Sequence, residues 1–278
     1  MPLPTLLRFP GSKAKLLIRL TPFLDHLLDG RMIFHDVFTG GGAVALLVAE
    51  RYPRVEMRLN DLDPDLSAFW GVVAEEEVEA LCDRLDIRPT IDLFYRLRHT
   101  VAKTKVERAF QALFFSRCSF SGLLHGSRLG GESQMSENKV FARFNGPRLV
   151  EQIKQAHKVL AGRTLVTCLD GARYVRRHAT ATMYLDPPYF QKGDKLYRQR
   201  MSLPDHLALA DALRLATNWL LSYDHTPVIE ALYSWARRRG VGARYSVNGK
   251  KTRWTANEEL VIVPPDADCP RRPVSSRR

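Results

Sequence analysis

Residues 32–61 (MIFHDVFTGGGAVALLVAERYPRVEMRLND) constrain the fold more than any other stretch of the chain. An apolar run at 32–38 leads directly into Gly40, Gly41 and Gly42. A helix-forming run, AVALLVAER, follows at 43–51, and an alternating stretch at 55–59 ends at Asn60 and Asp61. Strand, glycine turn, helix, strand and terminal acid form a βαβ unit, and such units build parallel sheets.

The rest of the chain repeats this alternation around one interruption. A helix is expected over 13–20, capped by Ser12, and a second one opens at Pro22 and runs to Leu28. From 75 to 116 the pattern becomes helical, in three runs (EEEVEALCDRL, DLFYRLRHT, VERAFQALFFS). Residues 120–145 are rich in Gly, Ser and Arg without helical periodicity and read as a loop or exposed hairpin. After Pro147 come a helix to Leu160, strands at 164–169 and 182–185, a helix at 204–216, a strand at 219–223 and a helix at 228–238. Strands near 243–247 and 259–263 close the series. The insertion at 71–145 is far longer than the about 2–6 residues a βα connection needs. The expected architecture is an α/β, Rossmann-like sheet with helices on both faces and an inserted α-rich sub-domain. Residues 1–70 and 146–265 would form the main domain, and 266–278 a disordered basic tail.

With 45% hydrophobic residues, 278 residues suffice for one core carrying a sub-domain. Lys and Arg number 42 against 30 Asp and Glu, a formal net charge of +12. Such an excess suits a polyanionic partner, because bound cations release condensed counterions from nucleic acid. The 4 cysteines are scattered, with no pair at metal-ligand or redox-motif spacing, so neither a zinc site nor a disulfide framework is expected. No apolar run is long enough to span a bilayer, and the N-terminus lacks the pattern of a secretory signal, so a cytoplasmic protein is expected. Asp61, Asp63 and Asp65 imitate the start of a calcium loop, but Leu66 and Val72 stand where that loop needs Gly and Glu, so no metal is expected there.

Two segments carry chemistry. Asp186-Pro187-Pro188-Tyr189 follows a predicted strand directly, and a ligand crevice lies at the carboxyl ends of parallel strands. The prolines stiffen the turn and lack N–H donors, leaving the carbonyls of Asp186 and Pro187 to face a ligand. A carboxylate and a carbonyl can each accept one hydrogen of an exocyclic amine, while Tyr189 offers a face to a flat ring. The second segment is the glycine loop after Phe38, in which Gly40, Gly42 and Ala45 allow a tight turn and close approach of a cofactor. Asp61, about 20 residues on, can hold ribose hydroxyls. A nicotinamide cofactor would satisfy this loop and acid equally well.

Together these segments resemble the Dam-type (D12 class, alpha-group) DNA adenine-N6 methyltransferases. Leu7-Arg8-Phe9-Pro10-Gly11-Ser12-Lys13 is similar to that family's N-terminal signature. Phe38-Thr39-Gly40-Gly41-Gly42 resembles its F-x-G-x-G motif, Asn60-Asp61 its second-strand acid and residues 186–189 its DPPY motif. Ser222-Tyr223-Asp224 and the stretch 248–263 resemble later segments. The order, cofactor loop first and DPPY after the insert, matches the alpha-type arrangement. Arg117-Cys118-Ser119-Phe120-Ser121-Gly122 replaces the family's commoner R-x-G-[FY]-N-G, which puts the usual GATC target in doubt.

The resemblance implies S-adenosylmethionine as cofactor, held by Phe9, Lys13, Asp36, Phe38, Gly40, Gly42, Asp61 and Asp186, with Asp170 beside its adenine ring. It implies double-stranded DNA as partner, with the methyl group going to N6 of an adenine flipped out of the stack. Asp186, Pro187, Pro188 and Tyr189 would form the catalytic pocket. The insert 71–145 would read the target, with Arg117 and Arg128 gripping guanine edges, Phe120 wedging into the stack, and Lys139 and Arg143 supporting. The expected protein is a monomer of bacterial or phage origin, and a cognate restriction endonuclease is a partner that the resemblance allows. Competing readings are an RNA adenine-N6 or DNA cytosine-N4 methyltransferase, a non-catalytic binding module on the same fold, and a nicotinamide oxidoreductase. The last leaves both DPPY and the basic insert without a purpose.

Overall fold

Seven strands form a single sheet in the computed structural model, which describes residues 5–8, 16–131, 133–135, 139–190, 201–241 and 259–267. They are β1 (Ile33–Asp36), β2 (Glu56–Asn60), β3 (Thr164–Thr167), β4 (Thr182–Leu185), β5 (Asn218–Asp224), β6 (Arg237–Val241) and β7 (Glu259–Val263). Their spatial order is β3-β2-β1-β4-β5-β7-β6. The first five strands run parallel, and β7 pairs antiparallel with both β5 and β6. From β1 the chain steps outward through β2 to β3, then returns to place β4 on the other side of β1. The order reverses between β1 and β4, where Asp36 faces Tyr184 in register, and in such sheets ligands bind outside the carboxyl ends of the strands at this point.

Alternation along the strands sorts side chains into two cores, because successive residues point to opposite faces. Phe34, Met57, Leu59, Tyr184, Leu220 and Val261 join one core with α1 (Leu17–Leu27), α2 (Ala43–Arg51), α3 (Pro64–Ala74) and α7 (Gly146–Leu160). Val37, Met183, Leu185, Trp219, Leu221 and Ile262 join the other with α8 (Gly171–Arg177), α9 (Leu203–Arg214) and α10 (Pro227–Leu232). The expected Rossmann-like sheet covered on both faces is what the structure has.

Between α3 and α7 lie α4 (Val78–Cys82), α5 (Ile91–His99) and α6 (Lys105–Cys118). Every residue of α3 from Leu66 to Ala74 is buried, the mark of a helix enclosed on all sides. It packs against both α6 and α7. Phe94, Phe110, Phe114 and Phe144 extend the same core outward. The boundary expected at residue 71 therefore falls inside a buried helix, and α4 to α6 share the core beneath the sheet.

Other boundaries also move. Residues 17–27 form one helix with Pro22 inside it, where a new helix was expected to start. Proline there removes only the bond to the carbonyl of Ile18, on a face that is open to solvent. The helix expected over 228–238 stops at Leu232, and residues 237–241 form β6 instead. Pairing with β7 gives Arg237, Arg238 and Arg239 a hydrogen-bonding ladder that outweighs their helix propensity. Arginines on the outermost strand also discourage edge-to-edge pairing. The strand expected near 243–247, the signature residues 9–13, the segment 248–258 and most of the 266–278 tail lie outside the described residues. Among the described residues no helix is long and apolar enough to cross a membrane.

Candidate active site

The glycine loop joins β1 to α2 through backbone that only glycine adopts easily. Gly40 has φ 48° and Gly42, which caps α2, has φ 71°. Trp70 of α3 lies against this turn and donates from its indole nitrogen to the Gly40 carbonyl at 2.9 Å. A Cβ at Gly42 would lie 2.1 Å from the Trp70 ring, so the site tolerates no side chain. Asn60 ties the strand ends together. Its Nδ2 donates to the carbonyls of Val37 (3.0 Å) and Leu169 (2.9 Å), and its Oδ1 accepts from the Leu169 N–H (3.1 Å) and the Thr167 hydroxyl (2.8 Å).

Asp61 is bound into the same loop. Its Oδ2 accepts from the Gly40 N–H at 2.8 Å and its Oδ1 from the Asp63 N–H at 2.9 Å. Burial pushes its pKa up to about 6, against the pull of those two N–H groups. Asp63 caps α3 by accepting from the Asp65 N–H at 2.8 Å, and Asp65 pairs with Arg108 at 3.1 Å. The acidic run thus serves a turn and a helix cap.

Asp36, at the end of β1, is 2% exposed. The Phe38 and Ala45 N–H groups bond its carboxyl, yet Oδ1 is buried with no hydrogen-bond partner among the described residues. Burial raises its pKa well above the usual carboxylate value, and the neighbouring charges of Asp186 and Asp61 raise it further. Three carboxyl groups from the ends of β1, β2 and β4 therefore converge, with no cation acting on Asp36 or Asp61 among the described residues.

The DPPY segment leaves β4 at the switch point. Asp186 is half-buried, and its Oδ1 accepts from the Ser222 hydroxyl at 3.1 Å. The Tyr189 hydroxyl donates to Glu259 Oε1 at 2.6 Å, and the Phe190 N–H donates to Asp224 Oδ1 at 3.2 Å. Strands β5 and β7 thus hold the loop from one side. Phe38 packs on the start of α8, where a Cβ at Gly171 would lie 2.3 Å from its ring. Asp170 is exposed and caps α8 by accepting from the Arg173 N–H at 2.8 Å. Phe9 and Lys13 lie outside the described residues.

The expected base-reading residues divide. Phe120 is 61% exposed at the tip of a turn in which Ser121 has φ 55°. Arg98 holds that loop by donating to the carbonyls of Leu124 (2.7 Å) and Gly126 (2.9 Å) while its guanidinium stacks 4.0 Å from the Phe115 ring. Arg128 stacks over Tyr95 at 5.0 Å and donates to the Gly131 carbonyl at 3.1 Å. Lys139 is exposed and Arg143 half-buried.

Arg117 departs from expectation. Its guanidinium donates to the backbone carbonyls of Leu6 and Thr5, anchoring the N-terminal segment whose Leu6 and Leu7 are fully buried. Burial lowers its pKa to about 10, with the charges of Arg8 and Arg148 acting in the same direction. A guanidinium so committed does not fit a guanine-gripping role. Arg117→Ala is expected to lower stability by about 1.5–3 kcal/mol, the loss of charged hydrogen bonds. Denaturant melts check this. A variant of parental stability that methylates a relaxed set of sequences would restore the base-reading assignment.

Sequence reasoning missed Trp70, Arg98, Ser222 and Glu259 as parts of the site. Ser222 and Glu259 lie within the segments that resemble later family motifs, but Trp70 reads only as an apolar helix residue, and the partner of Arg98 is a loop 26 residues away.

A glycine loop and a DPPY turn at the switch point of this sheet fit a Rossmann-like methyltransferase. The chain belongs to the D12 class N6 adenine-specific DNA methyltransferases, whose family pattern it matches over residues 9–247. It is also similar to the Type II methyltransferase M.MjaIII of Methanocaldococcus jannaschii, at 26% identity over 204 residues covering 66% of this chain and 68% of that protein.

Proposed function

We propose that the protein transfers a methyl group from S-adenosylmethionine to N6 of an adenine turned out of double-stranded DNA at a specific sequence. The observation that carries this reading is the acid-lined crevice between the glycine loop and Asp186. A buried, unpartnered carboxylate oxygen on Asp36, with Asp61 and Asp186 beside it, calls for a cationic ligand, and S-adenosylmethionine carries both an ammonium and a sulfonium. When bound, the cofactor supplies an electrophilic methyl group on that positively charged sulfur.

The chain's residues then have distinct tasks. Asp36 pairs with the cofactor's cationic end, Asp61 accepts from its ribose, and the glycine turn lets it approach the backbone. Asp170, at the end of the β3 connection, borders the adenine side, and Phe9 and Lys13 are assigned to the cofactor on the resemblance. Asp186 and the Pro187 carbonyl accept the two hydrogens of the target amine, orienting its nitrogen and stabilising the positive charge it develops. Tyr189 stacks on the base with its ring orientation held through Glu259.

On the DNA side, burial lowers the pKa of Arg8 and of Arg117, and the charge of Arg143 acts on Arg8, and those of Arg8 and Arg148 on Arg117, in the same direction, an accumulation of charge that phosphates would relieve. Phe120, exposed on a constrained turn, suits a wedge that fills the gap left by the flipped base. Arg128, with Lys139 and Arg143 around it, is the remaining candidate to read base edges. As functional regions of one shared core, residues 1–70 and 146–265 are assigned to catalysis and 71–145 to target reading. A paired restriction endonuclease fits the likeness to a Type II methyltransferase. Labelled S-adenosylmethionine incubated with random-sequence duplex DNA and with RNA tests the reading; incorporation into duplex DNA supports it, and incorporation into RNA alone overturns it.

Cofactor affinity should depend on pH through Asp61. Its carboxyl titrates at about 6 in the fold against 3.8 ordinarily, so burial disfavours the charge, and folding stability from this group falls as pH rises between those values. A ligand that uses the carboxylate as acceptor binds more tightly as pH rises through about 6. Asp61→Ala should weaken binding by about 1.5–3 kcal/mol and flatten this dependence. Calorimetry at several pH values checks both; unchanged affinity in a folded variant refutes the assignment.

A further inference from the structure

The geometry points to Ser222, with Tyr184 behind it, as a positioning residue that holds the Asp186 carboxylate as the acceptor for the target amine. This inference rests on the methyl-transfer reading above. Ser222 is fully buried on β5, and its hydroxyl lies 2.8 Å from the Tyr184 hydroxyl, 3.1 Å from Asp186 Oδ1 and 3.5 Å from the Leu185 carbonyl. One hydroxyl hydrogen cannot serve all three neighbours. With the Ser222 hydrogen given to Asp186 Oδ1, the Tyr184 phenol, which burial and the charge of Asp186 keep protonated, is left as the donor to Ser222. The bonds then run in one direction, from Tyr184 to Ser222 and from Ser222 to Asp186, with Leu185 at the limit of bonding distance. Each bond polarises the next.

Such a relay has a use because the site is crowded with acids. Asp186 faces Asp36 from β1 and Tyr184 on its own strand, with Ser222 and Tyr223 on β5. Glu259 on β7 acts on Tyr184. Asp36 and Asp186 repel each other, and only the anionic form of Asp186 can accept from an amine without competing for its own proton. A hydroxyl donated to Oδ1 favours that anion and fixes the rotation of the carboxylate. Ser222 and Tyr184 thereby act on the reaction through Asp186 without touching the target.

The test is methyl transfer to duplex DNA between pH 5.5 and 9 by the parent, Ser222→Ala, Tyr184→Phe and the double variant, with thermal melts as the folding control. Removing the donor raises the pKa of Asp186, so the acid limb of the kcat profile should move up by up to about one pH unit. On the acid limb the rate should fall by up to about 10-fold, the change in charged fraction that such a shift gives below the pKa, while the rate on the plateau above it changes little. KM for DNA should stay within about twofold, because the residue does not touch the target. Tyr184→Phe should move the limb in the same direction by less, and the double variant should match Ser222→Ala, since both act through one bond. A folded Ser222→Ala with the parent's kcat and acid limb overturns the proposal. So does a rate loss with an unmoved limb and additive effects, the pattern of damaged packing. A parent that methylates no adenine overturns the functional reading itself.

Discussion

Asp186→Ala is expected to reduce methyl transfer by at least about 100-fold, the usual consequence of losing a preorganised polar group at a reacting centre. Asp186 stands at the end of β4, where the sheet order reverses, and its carboxylate is oriented by Ser222 from the neighbouring strand. Alanine leaves the target amine with one acceptor, the Pro187 carbonyl, and removes the negative charge that offsets the positive charge developing on nitrogen. The cost to the fold should be small, because the residue is only half-buried and the loop stays held through Tyr189 and Phe190. Single-turnover assays beside thermal melts separate the two effects. Near-parental turnover in the alanine variant would falsify the catalytic assignment.

Gly42→Ala should damage both the fold and the cofactor loop. Its left-handed backbone costs alanine about 1–2 kcal/mol. The new Cβ would also meet the Trp70 ring at 2.1 Å, and overpacking of that kind costs about 1–3 kcal/mol more. The ring cannot retreat without giving up its bond to Gly40, and Gly40 in turn holds Asp61. Cofactor binding should therefore be lost along with stability, in a domain whose whole margin is about 5–15 kcal/mol. Gly30→Ala is the control: its φ of 65° is similar, but nothing lies within 4 Å of the added carbon. Denaturant melts and cofactor calorimetry on both variants should show stability loss in each, larger for Gly42→Ala, and binding loss in Gly42→Ala alone. Equal and small effects would mean that Trp70 does not constrain the loop.

Much of this architecture is legible from residue order. The unit at 32–61 announces itself because a strand, a glycine turn and a helix leave local signatures, and β4 and DPPY are adjacent in the chain. What stays hidden depends on distant partners. Arg117 looks like a surface cation until Leu6 and Leu7 prove to be buried beside it, and nothing local shows that its guanidinium serves their backbone. The stretch at 228–238 has a helical composition, and only pairing with β7 makes a strand of residues 237–241. Pro22 reads as a helix start because a mid-helix proline is costly, yet the single bond it removes is to the carbonyl of solvent-exposed Ile18, and the helix runs on through it. The insert looks separable by length, whereas α3 is buried on every side and joins it to the sheet.

The most direct test of the central claim is the chemical identity of the product. Duplex DNA treated with the protein and S-adenosylmethionine, digested to nucleosides and analysed by mass spectrometry, should contain N6-methyldeoxyadenosine at one recurring sequence. Asp186→Ala should leave that DNA unmodified. N4-methyldeoxycytidine as the sole product, or no methylated nucleoside from a folded protein that binds the cofactor, would contradict the account.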